Sequence, residues 1–67
     1  MVMTLKSARV NAGLTQEEAA KELHISVSSL ASYEKGKTFP DVPVIKRIEA
    51  LYKVSYSNLF FSVKNTV

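Results

Sequence analysis

The sequence predicts an all-α domain of five short helices. Three observations lead there. Between its two glycines and two prolines, apolar residues recur at spacings of three and four, the period of a helix with one buried face, and no long run alternates as a half-buried strand would. Most of the candidate helices open on a Thr, Ser or Asp that can cap them. The chain has 67 residues, 46% of them apolar, which is room for one small core and too apolar for a disordered tail. We expect one domain over residues 1–62 and a frayed tail over 63–67. There is no internal repeat and no low-complexity tract.

The first segment runs from about Thr4 to Ala12, with Leu5, Ala8, Arg9 and Ala12 on one face. Gly13 follows where a left-handed C-cap is wanted, and Leu14 is a hydrophobic anchor. The second opens on Thr15-Gln16-Glu17-Glu18, a capping box whose carboxylates also favour the positive end of the helix dipole. Ala19, Ala20 and Leu23 give it a small-residue face that another helix can approach closely, and His24-Ile25 ends it. The third opens at the N-cap Ser26, turns Leu30 and Tyr33 inward, and ends at Gly36. Thr38-Phe39-Pro40 is a loop. Asp41 caps the fourth segment, and Pro43 fits its first turn, where a missing N–H is harmless. Ile45, Ile48, Leu51 and Tyr52 make its apolar stripe, with Lys53 near its end. Ser55 caps a short fifth segment carrying Tyr56, Leu59, Phe60 and Phe61.

Several function classes are excluded by what is missing. With no cysteine there is no disulfide and no thiolate metal site, and one histidine cannot build a metal site alone. No metal and no cofactor are expected. No paired-acid site, Gly-rich phosphate loop or nucleophile constellation suggests an enzyme, and Glu17-Glu18 is explained by capping. No apolar run approaches the ~18–20 residues of a membrane span. The start, Met-Val-Met-Thr-Leu-Lys, is no signal peptide, so a cytoplasmic location is expected. Nine Lys and Arg against six Asp and Glu give a net charge of +3 and a pI near 9.4. This suits nucleic acid but does not by itself indicate it.

Placement of charge says more than its total. The second and third segments are joined by about three residues, the outline of a helix-turn-helix. The outward face of the third carries Val27, Ser28, Ala31 and Ser32, small and uncharged, where a purely solvated helix would carry Lys or Glu. Lys35 and Lys37 stand just beyond. Such a face fits a DNA major groove about 12 Å wide, its hydroxyls and methyls at base edges and the lysines at phosphates.

From Leu5 to Phe60 the sequence resembles the Cro and lambda-repressor-type helix-turn-helix family, often called XRE-like. The matching stretches are Leu5-Lys6-Ser7-Ala8-Arg9, Gly13 to Ala20, Leu23-His24-Ile25-Ser26, Leu30, Tyr33-Glu34-Lys35-Gly36-Lys37 and Pro40, then Ile45, Ile48, Val54-Ser55 and Leu59. The match keeps register without a gap. It implies a lambda-repressor-like domain with base or groove contacts from Val27, Ser28, Ala31 and Ser32. It implies phosphate contacts from Gln16, Ser26, Ser29, Lys35, Lys37 and Thr38, with Gln16 also bracing the third helix. For Ser26 the alternative is a cap and nothing more. Arg9 and Glu34 match a partly buried, structural ion pair between the first and third helices. Three positions depart from the pattern. His24 and Lys53 stand where Gly is usual, and Glu49 where a small apolar residue is common. The outward face also lacks the Gln, Asn and Arg of bidentate base contacts, so methyls, hydroxyls, water and DNA shape would carry specificity.

The resemblance implies a sequence-specific regulator of double-stranded DNA, of the phage or mobile-element repressor type. It would act in the cytoplasm of a bacterium, on the nucleoid when bound to DNA. It would read an inverted repeat as a homodimer. Phe60, Phe61 and Val63 are the candidate dimer contact; alternatively Phe60 completes the core and Phe61 covers the edge of the first helix. No second domain for a small-molecule ligand is expected. The competing function is an antitoxin or protein-interaction adaptor on the same fold.

Overall fold

The computed structural model describes residues 3–60. Four α-helices make up most of it: α1 Leu5–Asn11, α2 Gln16–Leu23, α3 Val27–Lys35 and α4 Val42–Tyr52. A two-residue strand precedes them, β1 Met3–Thr4, and a 3-10 turn, Tyr56–Asn58, leads into β2 Leu59–Phe60. The two strands pair in parallel, Met3 opposite Leu59 and Thr4 opposite Phe60.

Each α-helix starts as its sequence dictates. Thr4 accepts from the Ser7 amide at 3.0 Å. Thr15 accepts from the Glu18 amide while Glu18 accepts from the Thr15 amide, so the capping box closes in both directions. Ser26 and Asp41 cap α3 and α4 through the amides of Ser29 and Val44. The helix ends also share one design. Gly13, His24, Gly36 and Lys53 all take positive φ, between 54° and 78°. The next residue in each case sends its N–H back five positions: Leu14 to Arg9, Ile25 to Ala20, Lys37 to Ser32 and Val54 to Glu49. These bonds satisfy carbonyls that a helix end would otherwise strand. Glycine adopts this conformation freely; His24 and Lys53 do so against the crowding of a Cβ.

The core is Leu5, Ala8, Ala19, Ala20, Leu23, Leu30, Val44, Ile48, Tyr52 and Leu59. Ala19 and Ala20, at 0% and 1% exposure, let α2 sit tightly against α3 and α4. Arg47 Nη1 donates to the Leu23 carbonyl at 3.4 Å, placing a cation at the negative end of α2.

Four sequence expectations are corrected. The fifth helix is absent among the described residues: a single 3-10 turn stands there and runs into β2. Residues Tyr56 to Asn58 have nothing to bury, so no amphipathic face drives a longer helix, while Leu59 reaches the core as a strand residue beside β1. The domain is therefore mostly helical rather than purely so. Ser55 does not cap this turn with its side chain; Glu49 does, its carboxylate accepting the Tyr56 amide at 2.6 Å. In the apolar stripe of α4, Ile48 and Tyr52 are buried as expected, but Val44 joins them while Ile45 and Leu51 are only half-buried; on α1, Ala12 is exposed. The side chain of Phe60, together with Phe61, Val63 and the tail 63–67, lies outside the described residues.

Candidate nucleic-acid interface

The site is built on α2, the turn His24-Ile25-Ser26, and α3. The left-handed His24 reverses the chain within this turn. Ser26 then restarts a helix at once, its hydroxyl accepting from the Ser29 amide at 3.0 Å and donating to Ser29 Oγ at 2.9 Å. Leu30 anchors α3 at 0% exposure. Helical geometry then settles what faces out. Val27 and Ser28 are exposed, and Ala31, Ser32 and Tyr33 are half-buried. No acid stands in the first turn of α3, so its positive dipole end and outer face are free of negative charge. Lys35, Lys37 and Thr38 are exposed at the other end.

A second group holds this unit to the rest. Arg9 on α1 grips Glu34 on α3 through two bonds, Nε to Oε2 at 2.7 Å and Nη2 to Oε1 at 3.3 Å. The side chains of the pair are only 9% and 4% exposed. The third donor of Arg9, Nη1, reaches the Leu14 carbonyl at 2.8 Å, just before the α2 cap. Gln16, the first residue of α2, donates Nε2 to Glu34 Oε1 at 3.0 Å. The hydrogen bond to Glu34 raises the Arg9 guanidinium above its ordinary pKa, against the lowering effect of burial.

Tyr52 lies in the same electrostatic neighbourhood. Burial pushes its phenol up to about 12; the Glu34 charge adds to this and the Arg9 charge opposes it. The residue is 5% exposed, and its hydroxyl has no hydrogen-bond partner among the described residues. Sequence reading missed this hydroxyl, and although the resemblance implied that Gln16 braces the third helix, it did not name Glu34 as the partner. Of the expected site residues, Val27, Ser28, Ala31, Ser32, Ser26 and Ser29 share the α3 face and its start. Lys35, Lys37 and Thr38 follow α3, and Gln16 stands on α2 with its amide held by α3.

A capped helix, a three-residue turn with His24 left-handed, and a second helix with a small, uncharged outer face define a helix-turn-helix protein. A helix-turn-helix family matches residues 5–59, and the chain belongs to that family. It is 43% identical over 51 residues to the HTH-type transcriptional regulator ImmR of Bacillus subtilis (strain 168), covering 76% of this chain and 40% of that protein. It is 31% identical over 55 residues to the HTH-type transcriptional activator BcrR of Enterococcus faecalis, covering 82% of this chain and 27% of that protein. The chain thus spans less than half the length of these relatives. No solved structure matches it. No helix among the described residues is long and apolar enough to cross a membrane.

Proposed function

We propose that the chain is a sequence-specific, double-stranded DNA-binding transcriptional regulator that works in the cytoplasm. It acts as a repressor of the phage or mobile-element type and reads an inverted-repeat operator as a homodimer. The observation that carries this is the outer side of α3: exposed Val27 and Ser28 and half-buried Ala31 and Ser32, uncharged, with exposed Lys35 and Lys37 at its far end. In this reading those four side chains meet base edges. Gln16, Ser26, Ser29, Lys35, Lys37 and Thr38 hold phosphates. One module meets only a few base pairs, so two copies on half-sites about one helical turn apart supply affinity and specificity. The relatives named as a transcriptional regulator and a transcriptional activator support regulation by a domain of this kind.

Selection of bound duplexes from a random DNA pool tests the proposal. An inverted repeat is expected, bound with an affinity that falls by orders of magnitude between 50 and 200 mM salt, as phosphate contacts require. Failure to enrich any sequence would overturn it. One observation favours the second reading, an antitoxin or adaptor that contacts a protein. Phe39, Pro40, Val42, Ile45 and Tyr56 line an open cleft of about 580 Å³, with Phe39, Val42 and Tyr56 45–63% exposed. Under that reading binding is insensitive to salt.

A further inference from the structure

We infer that Glu34 is a positioning residue for DNA binding, acting through Gln16. The inference rests on the reading that Gln16 meets a phosphate. It adds that Gln16 is aimed before DNA arrives, by a carboxylate that never touches DNA.

The geometry argues it in three steps. Glu34 is immobile: Arg9 holds both its oxygens, at 2.7 and 3.3 Å, and its side chain is 4% exposed. At that depth the carboxylate cannot reach a ligand itself. Its Oε1 also accepts from Gln16 Nε2 at 3.0 Å. Next, the amide can sit only one way round. Turned over, its own oxygen would face a carboxylate oxygen, so the NH2 end must face Glu34. One of the two Nε2 hydrogens is thereby used, and the direction of the other is set, together with that of Oε1. Finally, Gln16 is the first residue of α2, half-buried, at a helix N-terminus. Its neighbours there are already satisfied, since the Thr15 and Glu18 amides bond to each other's side chains.

A free glutamine is among the side chains with the most rotamer freedom to lose. Ordering it in advance removes that cost from the binding step. The charge balance also permits it. A bare carboxylate near a phosphate would repel, but Arg9 neutralises Glu34 and also donates Nη1 to the Leu14 carbonyl. The ion pair therefore serves two ends, tying α1 to α3 and mounting the first residue of α2.

A double-mutant cycle on the selected duplex tests this. With each protein verified as folded by circular dichroism, Gln16→Ala and Glu34→Gln should each weaken binding about two- to tenfold, the range for immobilising one flexible side chain. In the Gln16→Ala background, Glu34→Gln should then change affinity by less than about twofold. Losses that simply multiply would overturn the inference and leave Glu34 a structural residue. Unchanged affinity in Gln16→Ala, with the duplex still bound, would instead remove the phosphate role of Gln16 itself. If Glu34→Gln does not fold, the unmodified chain decides. The Gln16 side-chain amide should show a ¹⁵N order parameter near the rigid value of about 0.85 without DNA, and a value below about 0.6 would overturn the mount.

Discussion

Arg9 and Glu34, 25 residues apart, meet as Nε to Oε2 at 2.7 Å with both side chains nearly closed to water. Surface ion pairs contribute little, but this one is a two-bond contact out of solvent. Removing one partner strands the other charge. Arg9→Met or Glu34→Leu should each cost about 3–5 kcal/mol, whereas the double replacement should cost much less than the two losses added. Urea denaturation of the four proteins gives the cycle. Additive losses would mean that the pair does not act as a unit.

Tyr52 gives a prediction of opposite sign. Its hydroxyl is buried with no partner among the described residues, so Tyr52→Phe should raise stability by about 1 kcal/mol. The pH dependence follows from linkage. The folded pKa, about 12, lies above the ordinary value of 10.0. The unfolded chain therefore loses this proton first, and the contribution is complete below about pH 10 and is lost as pH rises towards 12. The variant should lose less stability than the parent between pH 10 and 12. Parallel curves would contradict the burial argument.

His24 and Lys53 hold φ of 60° and 54°. His24→Gly and Lys53→Gly should each raise stability by about 0.5–1 kcal/mol, the relief of left-handed strain less the entropy glycine adds to the unfolded chain. A β-branched residue has the opposite effect, so His24→Val should lower the melting temperature. A His24→Gly variant less stable than its parent would show that the imidazole makes a compensating contact.

Two substitutions probe the face of α3 and the cations after it. Ser32→Glu places a negative charge on a half-buried outer position and should abolish operator binding with little change in melting temperature. Unchanged affinity would remove Ser32 from the interface. Lys35→Ala should weaken binding to all duplexes alike and reduce the salt slope by about 1. An effect confined to one base position would contradict a phosphate contact.

Much of this molecule is local chemistry and therefore legible along the chain. Thr15, Ser26 and Asp41 announce helix starts because a cap bonds three residues away. Gly13 and Gly36 announce ends because the left-handed turn is theirs at no steric cost. The uncharged face of α3 could be read from composition and helical period alone, and Arg9 with Glu34 from their place in a family pattern.

What the tertiary structure decided depends on residues far apart in sequence. Segment five looked helical by its cap and its aromatics, yet Leu59 is drawn beside Met3 as a strand, and the turn before it is capped by Glu49 from α4. In the stripe of α4, Val44 is buried more deeply than Ile45 and Leu51 because burial follows the shape of the packed neighbours, not the count of apolar residues. That Gln16 braces the third helix was implied by the resemblance, but that its partner there is Glu34 was closed to sequence. Capping and periodicity act within one turn of helix, whereas the partner of a long side chain is set only when the helices have docked.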